Sequence, residues 1–300
     1  MMRVLDRFWL KLSELHPKRF FLETWLEINR EAEELRKKES SDPYLPLYIY
    51  VIVAVVLTLQ EYYGDKSTFR HLILFITDEK NRIEYPFWYS LIGWLKPFVK
   101  DIYPNGEYRR LWELGWWAFA RIFGYVFIPA LFIPLLPSVK FRECGLSFKG
   151  FFEHIWIYLF LFLIVLPAVI IVSFRPDFSN YYPFYKDTHY PHGWSDFMLW
   201  EAMYFAQFVA LEFFFRGFLL HPLKKHLGAY SIFAMMVPYC MIHFGKPFLE
   251  TIAAIIAGVV LGTLSLKTGS IWCGALIHIT VAFSMDIAAL WQTGHFPGWR

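Results

Sequence analysis

Within the long apolar stretches of the last third of the sequence stand Glu201, Glu212, Arg216, His243, Glu250, His278 and Asp286. A charge at membrane depth costs several kcal/mol, so such a cluster calls for a function or a partner for each group. Glu201 and Glu212 are about three helical turns apart, and Glu212 and Arg216 form an i,i+4 pair, so one helix face carries two carboxylates and a guanidinium. His243 and Glu250 are separated by Gly245-Lys246-Pro247, which breaks helical phase between them. Carboxylates and imidazoles drawn together from several helices can hold a water. The carboxylate would take its proton, and the histidines would either donate to a developing oxyanion or join the carboxylate on a metal. The simpler readings are a neutralised pair for Glu212–Arg216, a packing role for His278 and surface positions for Glu201 and Asp286.

The elements that must position these residues are membrane helices. The chain has 300 residues, 57% hydrophobic and only 18% charged, which is more apolar surface than one soluble core can bury. Apolar runs long enough to cross about 30 Å of hydrocarbon recur along it. The spans expected are 45–63, 111–136 and 151–174, with few ionisable residues near their centres, and then 197–220, 230–244, 249–266 and 271–290. The stretch 85–99, broken by Lys96 and Pro97, leaves the count open by one. The expected fold is therefore all-α, a polytopic bundle of about 7–8 spans with the reactive core in the last four.

Residues 1–43 place Phe8, Trp9, Leu12, Phe20, Phe21, Trp25 and Leu26 at helical spacing among charges, as in a helix lying on the membrane surface. Residues 44–174 are the N-terminal membrane helices. Residues 175–196, rich in Tyr, Pro and Asp, form a connection suited to the interface that is placed to act as a gate, with His189 and His192 as loop rather than catalytic residues. Residues 197–291 are the core. The basic connection His221-Pro-Leu-Lys-Lys-His226 reads as cytoplasmic. A net charge of +3 without a basic stripe gives no sign of nucleic-acid binding, and Cys144, Cys240 and Cys273 match no metal or disulfide spacing.

The order Glu212-Phe-Phe-Phe-Arg216-Gly-Phe, then Tyr239-Cys-Met-Ile-His243, then Ile271-Trp-Cys-Gly-Ala-Leu-Ile-His278 resembles the CPBP family, which includes the CAAX prenyl endopeptidases and bacteriocin-immunity relatives. The resemblance covers about residues 197–290. It implies Glu212, Arg216, His243 and His278 as the catalytic set of an intramembrane endopeptidase. Its substrate would be a membrane-anchored protein cut near its C-terminus, and its location a multi-pass one in a bacterial inner membrane. No cofactor is needed if a glutamate activates the water, and zinc is the candidate if a metal does. The sequence departs from the family pattern at Leu211, where the first glutamate of a pair stands, and at Ala282, where an asparagine can follow the last histidine. Those departures favour the alternative of an inactive scaffold or immunity protein, as in a related gamma-secretase subunit. A proton-coupled transporter is a third reading, but neither internal repeats nor broken helix pairs are apparent.

Overall fold

The computed structural model describes residues 16–38, 42–99, 108–136, 139–149, 151–186, 193–294 and 296. Phe8, Trp9 and Leu12 of the expected surface helix, and the loop histidines His189 and His192, lie outside these residues. The described residues are helical with no strand among them; one isolated bridge joins Leu146 and Ser270.

The helices used below are α1 (Thr24–Lys38), α2 (Leu45–Tyr63), α3 (Lys66–Thr77), α4 (Arg109–Ile122), α5 (Phe151–Ser173), α6 (Trp194–Glu212), α7 (His221–Leu227), α8 (Tyr230–Met241), α9 (Phe248–Thr268) and α10 (Trp272–Thr293). Among the described residues, six helical stretches are long and apolar enough to cross a membrane: Leu45–Tyr63, Arg109–Leu135, Phe151–Ser173, Trp194–Leu227, Phe248–Thr268 and Trp272–Thr293. α8 is apolar but shorter. The chain is a polytopic helical bundle. The ambiguous stretch becomes the short pieces Pro86–Ile92, Gly93–Leu95 and Lys96–Val99, none of spanning length.

The helices divide between two compact units, and α2, α5, α6 and α10 supply residues to both. The first unit comprises Met1–Val53, Pro129–Phe160 and Glu212–Ile277. In it α1 docks through Trp25, whose Nε1 donates to Thr263 Oγ1 at 3.0 Å, and through Asn29, whose Oδ1 accepts from the Ala229 N–H at 2.8 Å. Ile28 and Ala32 are buried on the same side. The most extensive packing here is α8 against α9, where Gly258 and Gly262 meet Met236 and Met235. A Cβ at either position would come within 2.9 Å of a methionine atom, so these glycines set how closely the two helices approach. The start of α10 is clamped to the segment before α5: Trp272 stacks on Phe148 at 4.2 Å, its Nε1 donates to Leu146 O, and Ser270 Oγ donates to Ser147 O.

The second unit comprises Ala54–Ile128, Leu161–Leu211 and His278–Arg300. Its core is aromatic: Trp200, Tyr204 and Phe208 of α6 pack with Tyr185, Phe197, Ala282 and Leu290. Phe184 stacks against both Trp200 and Tyr204 at centroid distances of 5.5 and 5.6 Å. Residues 176–186 therefore fold onto α6 and α10, and Tyr182 and Tyr185 are buried in protein rather than set at the headgroup level. A nearby protein aromatic surface offers more contact than the lipid interface does. The early spans also carry more polar groups than expected. Glu113 of α4 is buried and held by Arg70, and Arg121 of the same span pairs with Gln60, whose Nε2 in turn donates to Arg121 O at 3.3 Å.

Candidate active site

The helix carrying Glu212 changes character just after it. Phe213–Leu220 is a π-helical segment in which every side chain is buried, and the His221 N–H closes the wide turn onto Arg216 O. A segment buried all round is enclosed by protein, and π-turns shift the register of the side chains that follow them. Inside this segment the Arg216 guanidinium is fully buried and its Nη1 lies 3.0 Å from Glu212 Oε1, although its N–H groups are not aligned for a straight hydrogen bond. Arg216 also lies over the Tyr239 ring, 4.1 Å from the centroid. The Tyr239 ring is 4.9 Å from that of His243, and Tyr239 O accepts a hydrogen bond from His243 Nδ1 at 2.9 Å. A carbonyl can only accept, so Nδ1 carries the proton. Nε2 is then the nitrogen with basic capacity or, once protonated, the outward donor.

Glu212, Arg216, Tyr239 and His243 thus form one continuous chain of contacts within the first unit. Thr251 Oγ1 donates to His243 O at 2.9 Å, tying the turn that carries the histidine to α9. Glu250 pairs with Lys246, Oε1 to Nζ 2.7 Å. His278 belongs to the second unit, where its ring stacks on Phe208 at 5.6 Å.

Glu201 and Asp286, expected near a membrane surface, are instead both fully buried within the second unit. The two carboxyl groups lie within electrostatic reach of each other. Asp286 Oδ1 accepts from the Phe184 N–H at 3.1 Å. Glu201→Gln leaves the Asp286–Phe184 bond intact and is expected to be nearly neutral. Asp286→Ala strands the Phe184 N–H and is expected to cost about 1–3 kcal/mol. Thermal unfolding in detergent checks the contrast, and equal destabilisation by both would contradict the role of that bond.

Two further residues touch this site without a signal strong enough to single them out in the sequence. A Cβ on Gly274 would lie 2.6 Å from Glu212 Oε2, so α10 approaches the carboxylate closely only because residue 274 is glycine. Tyr158 of α5 is buried within electrostatic reach of Glu212 and Arg216. Gly274→Ala is expected to push the Glu212 carboxylate aside and lower activity at least tenfold while leaving the fold intact, since the clash falls on the end of a side chain rather than on backbone. A Gly274→Ala protein with full activity would show that the carboxylate position is not critical.

Among the described residues no group of three or more His, Cys, Asp or Glu side chains is arranged to hold a metal ion. No step below runs through a metal ion. Cys144, Cys240 and Cys273 are free thiols.

Comparison with known proteins adds one match. Residues 193–284 fit the family model described as type II CAAX prenyl endopeptidase Rce1-like, while no curated protein and no solved structure matches. That segment contains all three motifs, including Glu212, Arg216, His243 and His278. Six apolar helices and this match make the chain an integral membrane protein. Over residues 193–284 it is similar to the Rce1-like type II CAAX prenyl endopeptidases, the CPBP-type membrane proteases that its motifs resemble.

Proposed function

We propose that the protein is an intramembrane endopeptidase that hydrolyses a peptide bond of a membrane-anchored protein, near its C-terminus, with water activated by Glu212. The observation that carries this reading is the fully buried Glu212–Arg216 ion pair inside a membrane helix, linked through Tyr239 to His243, a costly arrangement that a purely apolar packing would avoid. In this mechanism the Glu212 carboxylate takes a proton from water as the oxygen attacks the scissile carbonyl. Arg216 orients that carboxylate and prevents it from wandering. His243, in its protonated form with Nδ1–H held by Tyr239 O, donates from Nε2–H to the developing oxyanion, and the proton taken up by Glu212 passes to the leaving amide nitrogen. His278 takes the complementary donor role, on the strength of its motif. Tyr239 sets the position of both Arg216 and His243, through its ring and its carbonyl.

An inactive scaffold of the same family is the second reading, and Leu211 favours it, because a buried leucine stands where the family pattern has a glutamate. Glu212 must then supply the base that Leu211 cannot. Comparing the C-termini of membrane proteins in cells expressing the wild-type chain or Glu212→Gln separates the two readings. Wild-type-specific shortened C-termini are expected of a protease. Identical C-termini, with a binding partner retained by both forms, would support the scaffold.

A further inference from the structure

The stretch 79–99, between the spans α2 and α4, plays no part in the proposed hydrolysis. It folds back on α3 as the second arm of a helical hairpin. Asn81 Nδ2 donates to Phe75 O at 3.1 Å, the Tyr85 ring lies 5.9 Å from that of Phe75, and the last piece, Lys96–Val99, packs on α3. α3 in turn leans on the first turns of α4, where the Phe69 ring is 5.9 Å from that of Trp116 and Arg70 reaches Glu113. Trp116 Nε1 donates at 3.1 Å to the carbonyl of Tyr63, the last residue of α2. The hairpin is therefore anchored level with the ends of two spans, at the edge of the hydrocarbon layer.

Its second arm turns an apolar face away from the protein. Phe87, Leu91, Trp94 and Phe98 follow one another at intervals of four, three and four residues, the spacing of one helical face, and Trp88 stands beside Phe87. All five are between 58% and 70% exposed, and no side chain of residues 86–99 is buried. The polar groups on this arm show what surrounds it. Trp94 Nε1 donates to Leu91 O at 2.9 Å and Ser90 Oγ to Phe87 O at 2.7 Å, so two donors on exposed side chains turn onto their own backbone. Water would satisfy such donors; hydrocarbon does not, and there they must find partners within the segment. Lys96 is the one charged residue of 86–98, and its side chain bends back to pair with Glu79 near the turn of the hairpin. A long cationic side chain at a membrane edge does this, laying its stem along apolar surface while its charge stays out of the lipid.

We propose that residues 86–98 form an in-plane membrane wedge, with Phe87, Trp88, Leu91, Trp94 and Phe98 inserted into the leaflet on the side where α2 ends and α4 begins. Segments of this kind reach about 5–10 Å into the boundary between headgroups and acyl chains, so the wedge enters the bilayer without crossing it. Lys80, Arg82 and Glu84, which precede the apolar face, stay among the headgroups.

The test uses the full chain reconstituted in phosphatidylcholine bilayers, with a bimane on Phe87→Cys, Leu91→Cys or Phe98→Cys and on Arg82→Cys as the reference. Wild-type protein labelled in parallel gives the background from the native thiols. Lipids brominated in the upper acyl chain are expected to quench the bimane at 87, 91 and 98 about threefold or more over that at 82, and iodide in the water should show the reverse order. The tryptophans give a second reading that needs no new cysteine. Trp88→Phe/Trp94→Phe keeps the face apolar and should lower the fraction of tryptophan emission quenched by brominated lipid, while the fraction reached by iodide stays the same. Iodide reaching 87, 91 and 98 as readily as 82, or lipid quenching unaltered by Trp88→Phe/Trp94→Phe, would take the face out of the lipid and overturn the proposal. Quenching of the bimanes by neither agent would show a face covered by protein, such as a second copy of the chain, and would overturn it as well.

Discussion

Replacing Arg216 with alanine is expected to remove most of the folded protein. The guanidinium is fully buried and sits between Glu212 and the Tyr239 ring, so its loss leaves a carboxylate uncompensated inside the bundle and takes away the cation–π contact. Breaking a buried pair from one side typically costs about 3–5 kcal/mol. Against a usual margin of about 5–15 kcal/mol, that is enough to lower abundance several-fold. Quantitative blotting of membranes, with unfolding of whatever protein survives, measures it. Wild-type abundance and stability would show that the pair does not hold the core, and would assign Arg216 to the chemistry alone.

Glu212→Gln is expected to lower cleavage by about 10³-fold, the scale on which general-base catalysis contributes. From the sequence alone this exchange removes only a charge. The structure adds a second effect, because Glu212 is the counter-ion of Arg216, and the glutamine leaves that guanidinium buried without its charge partner. Activity must therefore be read per folded molecule. The double variant Glu212→Gln/Arg216→Gln separates the two effects: stability should partly return as both charges go, while cleavage should not. If stability does not recover, the two residues are not energetically coupled. If cleavage survives in either variant, the base lies elsewhere.

The spans were legible because hydropathy and length are local properties. The expected span 45–63 is Leu45–Tyr63, and the final one extends only to Trp272–Thr293. The i,i+4 spacing likewise foretold the Glu212–Arg216 contact, since the helix itself brings the two together. What could not be read were the contacts made across long stretches of chain. Arg70 and Glu113 meet through the packing of two helices far apart in sequence, and Glu201 meets Asp286 only because α6 and α10 pack together. Periodicity gives the face a residue occupies but not what lies opposite. The π-helical run after Glu212 carries no compositional mark, as its Phe-rich sequence would suit an ordinary helix. Gly274 lay within a recognised motif, yet its closeness to Glu212 is a property of helix approach, visible only in three dimensions.

The central claim, hydrolysis by a Glu212-activated water, is tested most directly with the purified chain reconstituted in liposomes beside a set of membrane-anchored peptides, in water enriched with heavy oxygen. Mass spectrometry of the peptides reads the outcome. The account predicts a shortened product that carries one heavy oxygen at its new C-terminus with the wild type, and none with folded Glu212→Gln. A product formed by Glu212→Gln at the wild-type rate, or a folded wild-type protein that cuts no membrane-anchored peptide, would contradict it.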